Sequence, residues 1–400
     1  MADAYDFWAE RLPGEQQAAV GAFWAAFERQ AAFLDAVFTG KDRSSGGEEV
    51  GACMNAALGP LADEIYWEFG PGEATGEDEA GEAGHFLALT PELFHSKRPL
   101  ARALLRAAPE MPGWRFGDAR RAQGTHDHLL AAVATRAFRE VTLTGAEVQA
   151  GPHRTIDVLG HGPEEDAGGQ AGLLFSLIVG EAAERDWLGE IATVVGSGAR
   201  RRGLSGLFSR RPAVDETWVP AFAEAAEAML EAMRADRTPG PFAPPRAEAE
   251  RALFQLAPED GSWPRADIVT YVTTRPDYAE ARFGGVPLSA ARFSTEGESF
   301  IGLRLARSSA APFEEVTERE ALADAIDADL RTAALGGVFG EAHGSAHVYV
   351  DAAVTDLPRA IATIERVLGQ RALHAPAHIL FDEAGLTDLA LPLASHQPIH

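Results

Sequence analysis

The stretch HVYVDAAVTDLPRAIATIERVLG, residues 347–369, decides how the C-terminal part of the chain is read. Its opening residues, His347 to Asp351, are rich in β-formers and predict a strand. Its second half spaces Leu357, Ile361, Ile364 and Leu368 three and four apart, which is one face of a helix, and Gly369 ends it. A strand that feeds an amphipathic helix needs a sheet on which the helix can lie.

Neighbouring segments supply that sheet. Ile268–Thr274, Phe300–Leu305 and Ile379–Phe381 predict further strands. Thr317 with Glu320 predicts a capping box opening a helix whose inner face is Leu322, Ile326 and Leu330. Strands separated by helices of this length predict a ferredoxin-like domain over residues 251–400.

Immediately upstream, RTPGPFAPPR (237–246) carries four prolines, so residues 237–250 are read as a linker. Before it, Val20, Phe23, Phe27, Leu34 and Phe38 form one face of a helix over Glu15–Phe38. Strands at Ile65–Phe69 and Phe86–Leu89 follow, separated by an acidic Gly-rich loop, then a helix at Pro99–Ala107 and a strand at Trp114–Phe116.

A related order recurs downstream. A helix over Thr125–Arg139 leads to strands at Val141–Val148 and Thr155–Leu159. The apolar run Leu173–Val179 fits strand or helix, Trp187–Val195 reads as helical, and Asp215–Arg234 is an amphipathic helix capped by Asp215. The expectation is an α+β protein of antiparallel sheets with packed helices. It has an N-terminal unit over 1–120 and a second α+β or helical unit over 121–236, a duplicated β-β-α-β pattern, before the linker and the C-terminal domain.

Composition narrows the function. A formal net charge of −25 argues against general nucleic-acid binding and against an anionic membrane surface, both of which require Lys and Arg. The acidic N-terminus lacks the basic-then-apolar order of a secretory signal, and the expected location is cytoplasmic. Lys41 and Lys97 are the only lysines, which with the abundance of alanine reads as the coding bias of a GC-rich bacterium. Cys53, alone in the chain, rules out an internal disulfide and a thiolate cluster, and its helical spacing with Val50, Met54 and Ala57 makes it packing.

No cofactor is expected from motifs. The residues around Lys41 lack the rest of a P-loop, and Gly196-Ser197-Gly198 lacks the third glycine of a dinucleotide fingerprint. Neither a His-Glu-x-x-His sequence nor a Gly-x-Ser-x-Gly elbow occurs.

Three patterns remain. Six of the twelve histidines fall in the last 58 residues as His343/His347, His374/His378 and His396/His400. Residues four apart on a strand are about 13 Å apart, too far to share an ion. A zinc or similar divalent site would therefore draw on different pairs, with His343, His347, Asp351 and His378 as its ligands. His126-Asp127-His128 reads as a helix start capped by Asp127. Arg200, Arg201, Arg202, Arg210 and Arg211 crowd one short loop of an acidic chain and suit docking to an acidic partner surface.

The leading expectation is a non-catalytic binding or regulatory protein that works through protein-protein contacts. The alternatives are a metal-assisted hydrolase with its site at the C-terminal histidines and a structural component of a larger bacterial assembly.

Overall fold

A computed structural model describes residues 3–40, 46–72, 84–92, 94–123, 129–137, 140–163, 165–195, 217–237, 246, 248–258, 265–307, 312–371 and 376–393. The chain divides into two compact units, one of residues 1–119, 239–279 and 294–400, the other of 120–238 and 280–293. Residues 1–119 thus fall in the same unit as most of 251–400. The expected linker, 237–250, is described only at Arg237, Arg246 and 248–250.

The first helix, α1 (Ala4–Ala9), is too short to show a period in the sequence, and it ties the N-terminus to the C-terminal region. Tyr5 donates its hydroxyl to the Ala384 carbonyl at 2.8 Å, and Phe7 and Trp8 pack their rings on Phe381. The long helix α2 (Gly14–Phe38) buries Val20, Phe23, Trp24, Phe27 and Leu34 against α3 (Gly47–Leu58) and a small sheet, whereas Phe38, expected on the same face, is exposed. In that sheet β1 (Tyr66–Gly72) pairs antiparallel with β2 (Gly84–Thr90); α4 (Arg98–Arg106) then crosses over and β3 (Trp114–Gly117) joins parallel to β2.

The same topology follows in the second unit. After α5 (Leu129–Ala137), β4 (Gly145–Gly151) pairs antiparallel with β5 (Thr155–Gly162); α6 (Ala167–Val179) and α7 (Glu181–Trp187) lead to β6 (Leu188–Val195), parallel to β5. The duplicated β-β-α-β order is therefore present. One reading left open is decided and one is corrected. Leu173–Val179 belongs to a helix, extended upstream by the small residues Ala167 to Gly172. Leu188–Val195 is a strand rather than a helix, as its β-branched Ile191, Thr193, Val194 and Val195 favour once a partner strand is at hand. Helix α8 (Val219–Ala235) completes this core with Phe222, Ala226 and Leu230.

The C-terminal elements are β7 (Ala252–Gln255), β8 (Ile268–Thr273), α9 (Pro276–Phe283), β9 (Ser299–Ala306), α10 (Pro312–Thr332), β10 (Gly336–Gly344), β11 (His347–Val354), α11 (Leu357–Gln370), β12 (Ala377–Phe381) and β13 (Ala390–Pro392). They make a seven-stranded sheet in the order β13-β12-β9-β11-β10-β8-β7, in which every described pairing is antiparallel. At its centre β9-α10-β10-β11-α11-β12 has the spatial strand order fourth, first, third, second, with both helices packed on one core, which is the ferredoxin-like arrangement expected. Helix α10 begins at Pro312, where a first-turn proline loses no hydrogen bond, and not at the Thr317 capping box. No described helix is long and apolar enough to cross a membrane.

Candidate functional site

The side-chain period of two splits β11 between the two faces of the sheet. Val348, Val350, Ala352 and Val354 join the core formed with α10 and α11, so His347, Tyr349 and Asp351 point to the opposite face. Directly opposed residues of an antiparallel ladder share a face. One row across that opposite face is therefore Tyr271, Ala342, Tyr349, Arg304 and His378, and the next is Thr273, Gly340, Asp351, Gly302 and Leu380.

The second row is a closed ion network. Arg265, at the approach to β8, donates to Asp351 at 2.7 Å and lies 3.2 Å from Asp382, with all three side chains buried. Tyr278 of α9 donates to Asp382 at 2.8 Å and stacks on Phe300 at 4.7 Å. Two glycines make room for this network: a Cβ at Gly302 would collide with the Arg265 guanidinium, and one at Gly340 with the Tyr271 hydroxyl. Arg265 also holds φ at +84°, a conformation that costs a non-glycine residue roughly 1–3 kcal/mol. A guanidinium held between two buried carboxylates offsets that strain.

In the first row Tyr271, Ala342 and Tyr349 are buried, and only Arg304 and His378, with His347 at the margin, are partly exposed. Asp267 accepts hydrogen bonds from the Tyr349 hydroxyl, from the backbone amides of Ala346 (2.9 Å) and His347 (3.0 Å), and meets His347 Nδ1 at 3.3 Å. Burial alone would raise the Asp267 carboxyl, but these donors together with the His347 imidazole hold it below its ordinary range. Burial and the Asp267 carboxylate push the Tyr349 phenol up, so it remains a donor. An ionised Asp267 can only accept. A neutral His347 ring facing this acceptor carries its proton on Nδ1 and leaves Nε2 as an acceptor.

Arg304 completes this end. It sits on the central strand β9 between Tyr349 and His378. Its Nε is buried without a hydrogen bond, and no described carboxylate pairs with its guanidinium. Burial, then the positive charge of Arg304 and then His347, push the His378 imidazole below its ordinary range. One fixed cation and two imidazoles thus converge, with Asp267 already committed to donors of its own.

This arrangement bears directly on the expected metal ligands. His343 stands opposite Val348, on the helix-facing side, and is separated by the sheet from His347, Asp351 and His378. Asp351 is consumed by Arg265. His347 and His378 share a face, but Arg304 lies between them, and a guanidinium there opposes a cation and favours an anion. Among the described residues no group of three or more His, Cys, Asp or Glu is placed to hold a metal ion.

Arg200, Arg201, Arg202, Arg210 and Arg211, together with His126-Asp127-His128, His374, His396 and His400, lie outside the described residues. Cys53 donates to Gln30 at 2.8 Å, and burial, then Glu49, pushes its thiol up, away from the reactive thiolate. Sequence reasoning passed over Arg265, Asp267 and Arg304. The available signal was a charge inside an apolar strand: Arg304 interrupts FIGLRLA (300–306). No protein-family model, curated protein or solved structure matches the chain.

Proposed function

We propose that this is a non-catalytic binding protein that takes an anionic group at the partly exposed margin of this sheet face, with Arg304 as the principal contact and His347 and His378 beside it. The observation that carries this reading is that no described carboxylate pairs with the Arg304 guanidinium, whose Nε is buried without a hydrogen bond. A partly buried guanidinium without a counter-charge sacrifices hydration for nothing in return. On the same sheet, Arg265 is answered by Asp351 and Asp382, while Arg246 and Arg319 are answered by the buried Glu341 on the other face. Among the described residues of this sheet, Arg304 has no such carboxylate partner, which supports its role as the ligand contact.

An anionic group on a partner protein would meet the same side chains, which is the form in which the expected protein-protein role and a cytoplasmic, regulatory setting fit this reading. Thermal unfolding tests it. Melting temperature should rise with added phosphate over a chloride control of equal ionic strength, since a ligand of the folded state stabilises by mass action. Arg304→Gln should erase the rise. A wild-type protein whose melting ignores phosphate, sulfate and acetate alike would sink the reading.

A further inference from the structure

We infer that the anion taken at Arg304 is one that brings its own O–H donor, with hydrogen phosphate as the simplest case, because His347 presents a fixed acceptor beside the cation. This deepens the anion-binding reading and rests on it. The argument begins at Asp267. Its carboxylate receives the Tyr349 hydroxyl and the amides of Ala346 and His347, so three donors hold it ionised and in place. An acceptor fixed in this way allows only one arrangement across its contact with His347, with the proton on Nδ1.

The imidazole then offers a lone pair at Nε2. His347 is diagonal to Arg304 on the same face, since Tyr349, two residues along β11, stands directly opposite Arg304. His378 on β12 stands directly opposite Arg304 on the same face. An anion seated on Arg304 therefore approaches an acceptor as well as a donor. An oxyanion with only lone pairs would set them against the lone pair of Nε2, whereas one with an O–H would complete the contact. The His347 ring is partly exposed, so water answers part of an unmatched acceptor and the preference expected is on the order of tenfold in affinity.

Hydrogen phosphate and sulfate make the decisive pair, because both are doubly charged tetrahedral oxyanions at about pH 8 and only the first has a hydroxyl. Isothermal titration of the full chain should show phosphate binding about tenfold more tightly than sulfate. His347→Leu should remove the preference and leave weak, equal binding of both ions through Arg304. Asp267→Asn, which releases the tautomer, should erode the preference in the same direction.

Equal affinities in the wild-type protein would overturn the acceptor assignment while leaving anion binding at Arg304 intact. Binding of neither ion would overturn both. A preference that survives His347→Leu would place the acceptor elsewhere and overturn the role given to His347. The wild-type comparison needs no variant, so the inference stays exposed even if a substitution fails to fold.

Discussion

Arg265 and Arg304 share one face of one sheet, and their surroundings differ in kind. Around Arg265 everything is closed: two buried carboxylates, a tyrosine hydroxyl on one of them, and a glycine beneath to admit the guanidinium. Around Arg304 the neighbours are two imidazoles and a phenol that already donates elsewhere. The difference teaches how to separate structural charge from available charge. A buried ion that its own fold has neutralised holds elements together, and one left without a counter-ion is free to hold something else.

The contrast can be broken most sharply at Arg265. Arg265→Met would leave Asp351 and Asp382 buried without their cation, and the folded state should lose about 3–5 kcal/mol, the usual consequence of removing one partner of a buried pair. Denaturant unfolding reads this directly; a loss below about 1 kcal/mol would mean that the network does not organise the sheet.

A smaller effect follows from His378. Its folded form resists a proton that the unfolded chain accepts, so stability should fall as pH drops below the ordinary imidazole range near 6.5 and until the lower folded value is passed. His378→Gln should remove that loss and therefore gain on the wild type between about pH 8 and pH 5. Parallel melting curves for the two proteins over this interval would remove the electrostatic crowding assigned to Arg304. Asp267 acts in the opposite part of the scale: its depressed carboxyl contributes stability above the ordinary carboxylate range, which is lost as pH falls through its folded value.

Arg304→Met should cost little, within about 1 kcal/mol, or stabilise the ligand-free protein, because it removes an uncompensated charge and keeps an apolar stem in the strand. The same unfolding measurement applies, and a loss as large as that at Arg265 would erase the distinction between the two arginines.

The smallest effect belongs to the arginine-rich segment 200–211, which lies outside the described residues. Changing Arg200, Arg201, Arg202, Arg210 and Arg211 to Ser should move stability by no more than about 0.5 kcal/mol. If the loop docks to an acidic surface, the change should abolish capture of that partner, and the wild-type interaction should weaken as salt rises. Loss of the fold instead would give those arginines a structural role.

Legibility followed the range of the interactions involved. Helices α2 and α11 and strand β11 could be read because their apolar periods are local, with Val20, Phe23 and Phe27 in one case and Ile361, Ile364 and Leu368 in another. Strand β10 escaped notice. Four glycines in GGVFGEAHG depress its intrinsic β-propensity, yet the neighbouring strands hold it in the sheet, and Gly340 is small because Tyr271 needs the space. Helix α9 escaped because Pro276–Phe283 is barely two turns long.

The histidines show the limit most plainly. His343 and His347 look like a pair in the sequence, but the turn between β10 and β11 puts them on opposite faces, whereas the distant His378 joins His347. By itself the sequence determined the α+β class, the recurring β-β-α-β order and the acidic balance that disfavours nucleic acid, since propensity, period and charge are properties of short stretches or simple sums. Only the tertiary structure decided that His347 and His378 flank Arg304 on one face of the sheet while His343 lies on the other. That outcome depends on strand register and on which face each strand buries, and both are set by partners far away along the chain.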